Sequence, residues 1–453
     1  AKEYLPTLFD FLAHNALEFH KKNETHITKP TYQFKLDNED LLCEANQFTT
    51  TKLKTKDLES LQFNALKIYQ ELTTFHIKQR NIKALVDIDL ERLNFVYAHA
   101  TFKNRQSQYL ETLKTSQNLL SDKSVSGLYS YEIASIYNQL ADVSQKNKIK
   151  SNKFKNREAL NICEQVITKF PNSKAAKKCN YLKAKIKQEQ IQITAEKHTP
   201  ILTFSKVLVE YKNIDTLFFT AYKISTKELE KLNKMYEVKK KVALISSLAP
   251  TNKWSTQLRN NNDYVKHTTE TIVPKLNQGH YLIVASNDKK LTSASMFGVT
   301  NVQITDLAFI TRRTNDTYQI VDRNTGKPLK SAKVNFKNNP RYNRDNTIDK
   351  TFITDKNGEF SYTPNRYYNG VEVTVTHKKD NAKFGSLYID RNYKNTNKPH
   401  SSTQTFLFTD RSIYRPNQTI HFKGISLHQQ KNTSQIIQNT AVTITLRDVN
   451  NQV

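Results

Sequence analysis

Apolar residues recur at three- and four-residue steps over residues 1–197 and at two-residue steps beyond, so the chain reads as helices followed by strands. Leu5, Leu8, Phe9, Leu12, Ala16 and Phe19 form the first stripe, one face of a helix that such spacing turns towards a core. A loop around Lys29 and Pro30 and a short helix over 41–48 lead to a long helix from near Asp57. That helix carries Leu61, Ala65, Ile68, Leu72 and Phe75, and a partner from about Ala84 carries Ile88, Leu90, Phe95 and Ala98. A further helical pair is predicted over 109–120 and 128–143.

An internal echo follows. Ala65-Leu66-Lys67-Ile68 leading to Phe75 returns as Ala159-Leu160-Asn161-Ile162 leading to Phe170, then Pro171, Asn172 and Ser173. Small residues at Ala175 and Ala176 suit close helix approach, and the proline suits the start of a second helix after a short turn. The unit resembles a tetratricopeptide-type hairpin. Its period is irregular, which favours a structural base over a concave peptide-binding surface.

The period changes near Thr194 to Pro200. Val207, Val209 and Tyr211 alternate with polar neighbours, as do Leu217, Phe219 and Ala221, and Trp254 reads as a core residue. The stretch from Leu276 through Gly279 to Val284 is a turn into a buried strand. A second sandwich is expected from Val302, with hairpin-type turns at 322–329 and 354–360 and alternation of Ala332, Val334 and Phe336 between them. A third is expected from near His400, with strands around Phe406 and Phe408, at Ile420 and Phe422, and over 442–448. The fold class is therefore multidomain: an all-α helical hairpin or solenoid region over 1–197, then all-β antiparallel sandwiches over 198–301, 302–398 and 399–453. The last shows about four of the roughly seven strands such a sandwich needs. That implies an N-terminal portion of a longer protein, or that something else completes the domain.

The most specific stretch is Thr409-Asp410-Arg411-Ser412-Ile413-Tyr414-Arg415-Pro416-Asn417-Gln418-Thr419-Ile420-His421-Phe422-Lys423-Gly424. Pro416 and Asn417 suit a tight turn, proline by its fixed φ and asparagine by its tolerance of the left-handed region. The stretch resembles the macroglobulin-domain signature of the alpha-2-macroglobulin family, with Asn417 where the family has glycine. The order of motifs over 198–301 resembles a macroglobulin-type domain as well, and the turns of the second sandwich resemble those of macroglobulin and carboxypeptidase-regulatory-like sandwiches. Over residues 200–453 the chain is thus similar to the N-terminal part of a Bacteroidetes-type member. The resemblance implies a non-catalytic frame of a cell-envelope protease trap, in which cleavage of a bait segment closes a cage of sandwiches on the protease. Proteases or envelope and outer-membrane proteins are the implied partners, at the periplasm or cell surface. The alternative is a scaffold or accessory subunit whose helical region docks on an outer-membrane assembly.

Composition narrows this further. Hydrophobic residues at 37% and aromatics at 10% of 453 residues supply packed cores, so the chain is not disordered. The net charge of +27 invites nucleic acid, but the lysines are interspersed with acids and no nucleic-acid module is recognisable, so none is expected as a partner. Cys43, Cys163 and Cys179 are an odd number in apolar helical patterns, which predicts small buried hydrophobes. No apolar run approaches the about 18 residues of a membrane span.

Chemistry is sparse. There is no Gly-x-Ser-x-Gly, no HExxH and no metal spacing, and 8 glycines supply no phosphate loop. Cys163-Glu164-Gln165 lacks the glycine of the family's Cys-Gly-Glu-Gln thioester and lies in a helical hairpin, so it is no thioester. Asp355, Asn357 and Glu359 have calcium-like spacing but no following bidentate acid, and read as a polar turn. Arg411 and Arg415 read as solvated rim charges. No catalytic, cofactor-binding or metal-ligating residue is assigned, and the chain is not expected to be an enzyme.

Overall fold

The computed structural model describes residues 4–22, 31–147, 152–312, 316–338, 347–364, 367–389, 401–410, 414, 418–430, 433–447 and 452. By contact the chain divides into two units: residues 1–189 with 259–266, and residues 190–258 with 267–453.

The first unit is helical: α1 (Leu8–His20), α2 (Ala45–Thr50), α3 (Leu61–Lys78), α4 (Ile82–His99), α5 (Arg105–Leu119), α6 (Ser126–Asn147), α7 (Lys155–Lys169) and α8 (Lys174–Lys187). Local chemistry sets the helix starts. The Ser60 hydroxyl accepts from the Phe63 amide, so α3 begins at Leu61 and not near Asp57. Asn81 caps α4 and Ser173 caps α8, two residues after Pro171. Leu42, Phe48, Leu66, Tyr69, Leu72 and Leu93 join one core with Cys163, Ala175 and Cys179. All three cysteines are free and buried. At Gly127 a Cβ would lie 2.9 Å from that of Ala175, so α6 and α8 approach too closely for any side chain there.

Two helical expectations are corrected. Helix ends at Lys187, not 197, because Gln190–Ala195 alternates Ile191 and Ile193 with polar residues and pairs as strand β1. The α1 stripe is reversed. Leu8 is 72% exposed, Leu12 57% and Phe19 55%, while Asp10, Ala13 and Leu17 are buried. The loop expected at Lys29 and Pro30 lies outside the described residues.

The second unit continues with β2 (His198–Thr199), β3 (Ser205–Lys212), β4 (Thr216–Lys223), helices α9 (Thr226–Asn233) and α10 (Val238–Ser246), then β5 (Pro250–Gln257), β6 (His267–Val273), β7 (Gly279–Ser286) and β8 (Phe297–Ile304). A three-stranded sheet β1-β3-β6 and a five-stranded sheet β2-β8-β7-β4-β5 enclose one core, which contains Val207, Val209, Phe219, Ile283 and Val302. Each such side chain fully withdrawn from water contributes roughly 1.5–3 kcal/mol. Every pairing is antiparallel except the two-residue β2–β8 contact. Trp254 packs against this core, stacked on Phe219 with centroids 5.2 Å apart. Val302, the expected start of the next sandwich, lies inside β8.

The next strands are β9 (Leu307–Arg312), β10 (Thr317–Asp322), β11 (Lys333–Lys337), β12 (Asp349–Ile353), β13 (Glu359–Ser361), β14 (Tyr368–His377) and β15 (Asp380–Ile389). Sheets β13-β10-β9 and β12-β11-β14-β15 share a core of Ile320, Ala332, Val334, Phe336, Val371 and Val373. The two expected turns close locally, Val321 bridging Pro328 with the Asp322 amide donating to the Lys327 carbonyl at 2.8 Å and the Asp355 amide donating to the Glu359 carbonyl at 2.9 Å, and each lies where the chain passes from one sheet to the other. β10 and β11 lie in different sheets, as do β12 and β13. Buried Thr354 ties both corners together, donating to the Leu329 carbonyl at 2.6 Å and accepting from the Ala332 amide at 2.8 Å.

Last come β16 (Ser401–Thr409), β17 (Phe422–Gln430) and β18 (Thr433–Ile436) in one antiparallel sheet. Residues 442–447, expected within a strand, are not in strand conformation, and Val442, Ile444 and Leu446 are exposed. Ile420, expected to start a strand, precedes β17. His400 and Asp448 lie outside the described residues.

Candidate functional site

The motif at 409–424 is a structural brace. β16 and β17 run antiparallel from Ser401 opposite Gln430 to Thr409 opposite Phe422. Where they end, the Asp410 amide donates to the His421 carbonyl at 2.9 Å. The Asp410 carboxylate accepts from the His421 amide at 3.1 Å and from the Tyr414 hydroxyl. The aspartate and tyrosine of the signature therefore close the connection between two strands, which explains these residue types without catalysis. Pro416, Asn417, Arg411 and Arg415 lie outside the described residues. Phe406, Leu407, Phe408 and Phe422 are each 39–54% exposed, so this sheet offers apolar surface.

The helical unit holds the densest buried polar chemistry. α1 faces inward with its charged side. Asp10 Oδ1 lies 2.7 Å from His76 Nε2, and both side chains are almost wholly buried. The other Asp10 oxygen accepts from the Thr7 amide and hydroxyl at 2.9 and 2.7 Å, closing a capping box. Further along, Lys21 Nζ lies 2.6 Å and His14 Nε2 3.5 Å from the Glu91 carboxylate, to which the Tyr69 hydroxyl also donates at 3.3 Å. Burial pushes the Glu91 carboxyl up, but the hydrogen bonds of His14 and Lys21 outweigh it and hold the pKa at about 2. The same contact with Glu91 raises the His14 imidazole above its ordinary value. Tight binding of the polar side leaves Leu8, Phe11, Leu12 and Phe19 outward, an amphipathic helix with its apolar face exposed.

Deeper in the unit, fully buried Arg92 donates to the Leu41 and Cys43 carbonyls at 2.8 and 2.7 Å and to Asp89 at 2.6 Å. Its guanidinium lies 4.2 Å from the Phe48 ring centre, and Tyr129 donates to the other Asp89 oxygen at 2.7 Å. All partners are protein groups, so this is a clamp on the segment before α2.

Residues singled out from the sequence fall apart in space. Cys163 is buried in α7 against Cys179 of α8, while Glu164 is half-buried and pairs with Lys183 at 3.0 Å. The hydrogen bond to Cys163, reinforced by burial, pushes the Cys179 thiol far up, which keeps it protonated and unreactive. Asp355 Oδ1 accepts from the Asn357 and Glu359 amides at 2.8 Å each, so the carboxylate is consumed by its own turn. Among the described residues no cluster of His, Cys, Asp and Glu could hold a metal, and no helix is long and apolar enough to cross a membrane. The outward face of α1 was missed because apolar spacing alone does not say which side is buried. The one warning signal is Thr7-x-x-Asp10, a capping pair beside the stripe.

Comparison with known proteins places a family match on the braced segment. Residues 404–453 match the MG2 domain. No curated protein matches the chain. Among solved structures, native alpha-2-macroglobulin from Escherichia coli spanning domains MG0-NIE-MG1 is 11% identical over 43% of this chain and 64% of its own, with a TM-score of 0.30. Its NIE-MG1 portion is 11% identical over 43% of this chain and 97% of its own, at 0.28. The whole native Escherichia coli alpha-2-macroglobulin is 13% identical over 53% of this chain, which spans 16% of it, at 0.26. The MG2 match falls on the same stretch as the macroglobulin resemblance read from residues 409–424.

Proposed function

We propose that this chain is the non-catalytic frame of an alpha-2-macroglobulin-like protease trap of the bacterial cell envelope. The observation that carries the reading is the MG2 match at 404–453, preceded by two antiparallel sandwiches with separate cores. Such sandwiches serve as spacers, the sheet that follows them is braced by Asp410 and Tyr414, and none of the clusters described above is arranged for bond breaking. Sandwiches over 198–301, 302–398 and 399–453 following a tetratricopeptide-like region complete the proposed organisation. The complete protein, mixed with an endopeptidase, is expected to be cut in one segment and to retain the protease through gel filtration. Cleavage with full release of active protease rejects the trap.

One observation favours a second reading, a scaffold docked on an outer-membrane assembly through its helical region. The apolar side of α1 faces outward while its charged side is held inside. On that reading, Leu8→Lys with Leu12→Lys abolishes co-purification with envelope partners while leaving the helical circular dichroism intact. Unchanged co-purification rejects it.

A further inference from the structure

Over 297–302 the outer edge of β8 carries no backbone ladder, although β1 packs alongside it, Ile191 lying 3.2 Å from where a Cβ on Gly298 would be. Gly298, Thr300 and Val302 stand opposite Ala285, Ile283 and Tyr281 of β7. Gln303 faces the other way, its amide donating to the Lys197 carbonyl at 2.9 Å beside β2. Strand alternation turns the backbone groups of Val299 and Asn301 to that same side. β2 reaches only Gln303 and Ile304, and among the described residues nothing pairs with the outward N–H and C=O of Val299 and Asn301. Natural edges are usually blunted by charge, proline or a bulge. Phe297, Gly298, Val299, Thr300 and Asn301 carry no charge and no proline, their register with β7 is unbroken, and Val299 is 40% exposed.

Beside this edge lies a groove of about 620 Å³, walled by α9 and α10 and lined with Leu229, Leu232, Val238, Leu282 and Phe297. Lys241 is its one charged lining residue, and among the described residues it has no acidic partner, the nearby Glu237 being held by Lys240 at 2.7 Å. A row of backbone donors and acceptors at two-residue spacing is matched by another extended backbone, not by a compact ligand. The groove adds apolar pockets for alternate side chains, and Lys241 adds a preference for a carboxylate.

We propose that this edge and groove receive an extended peptide segment that adds as a strand beside β8, seating apolar side chains in the groove and an acidic one at Lys241. The inference rests on this unit alone and stands whether or not the chain belongs to a protease trap.

The probe is a fluorescein-labelled peptide, Ser-Thr-Val-Thr-Asp-Thr-Val-Thr-Ser, which places Val, Asp and Val on one face. Titrated with the 453-residue chain, it is expected to bind saturably and to slow amide exchange at Val299 and Asn301. Of two versions N-methylated at alternate residues, one in each phase, one loses binding and the other keeps it, because only one edge of the peptide meets β8. Lys241→Glu weakens binding roughly tenfold, and the same peptide with Lys in place of Asp then becomes the better ligand. Val299→Pro, tolerable where the N–H faces outward, removes binding. No saturable binding up to about 1 mM, equal binding of both methylated versions, or unchanged exchange at Val299 and Asn301 overturns the proposal.

Discussion

Two residues carry structural roles that single substitutions test. Arg92 is wholly buried, and its removal as Arg92→Met leaves the buried Asp89 carboxylate, among the described residues, with the Tyr129 hydroxyl alone and frees the carbonyls of Leu41 and Cys43. Breaking a buried pair on one side costs about 3–5 kcal/mol. The helical unit should lose that much in urea unfolding followed at 222 nm, and adding Asp89→Asn should restore part of it. A loss below about 1 kcal/mol would show the clamp to be ornamental. Gly358 offers an internally controlled case. It has φ +68°, and a Cβ there would lie 2.4 Å from the Ile320 carbonyl, closer than any side chain is found. Gly326 has φ +70° with nothing within 4 Å of its would-be Cβ. Gly326→Ala should therefore cost only the left-handed penalty, about 1–2 kcal/mol, whereas Gly358→Ala must also displace backbone and should cost clearly more. Equal losses in amide-exchange stability of β10 would refute the crowding argument. Gly358 was legible in the sequence as a turn glycine. The pressing carbonyl, 38 residues away in sequence, was not.

At the scale of elements, α1 shows what periodicity conveys and what it withholds. The stripe of Leu5, Leu8, Leu12 and Phe19 predicts a helix correctly but places it the wrong way round, because polar partners on other helices hold Asp10, His14 and Lys21 inward. Those partners, His76 and Glu91, are long-range and leave no local mark. By contrast α9, which the sequence reading passed over, was signalled by Ser225-x-x-Glu228, a capping box in which both reciprocal bonds form. Strand β1 was likewise signalled by its own alternation. The α1 contact also has a pH signature. His14 has a raised pKa, so its contribution is full below its ordinary 6.5 and fades as pH rises through the raised value. Glu91 is depressed to about 2, so its contribution is full above its ordinary 4.5 and fades as pH falls towards about 2. Docking of α1 should be strongest between these limits, from about pH 4.5 to 6.5. Amide exchange of α1, corrected for intrinsic rates, should be slowest in that window, and Glu91→Gln should flatten the profile. A flat profile in the unmodified chain would mean that these ionic contacts do not hold the helix.

At the scale of the whole chain, the helix-to-sandwich order was legible because the period of apolar positions falls from 3.6 to 2, and that change is a property of the backbone. The connection between β5 and β6 was not, since its meaning lies in where it goes. Residues 259–266 leave the second unit and join the helical one. There the buried Asn156 side chain donates to the Tyr264 carbonyl at 2.8 Å while accepting from Asn138 at 2.8 Å. Arg157 donates to the Asn261 and Asn262 carbonyls at 3.2 and 3.3 Å, and the Tyr264 ring packs against the helical core. Asn262 and Tyr264 both adopt positive φ, +51° and +55°, so the loop is held in a costly shape by what it binds. Replacing 259–266 by a glycine-serine linker of equal length strands Asn156 with a buried unpaired amide, a cost of about 1–3 kcal/mol. The chain's single tryptophan makes the consequence readable, because Trp254 reports the sandwich core while 222 nm ellipticity reports mainly the helices. The linker variant should lower the denaturant midpoint at 222 nm and leave the tryptophan midpoint in place. If both midpoints fall together, the loop stabilises the sandwich as much as the helices and the division into two cores does not describe how this chain unfolds. If neither moves, the bonds of Asn156 and Arg157 to the loop contribute nothing, and its positive-φ residues are unconstrained turn geometry.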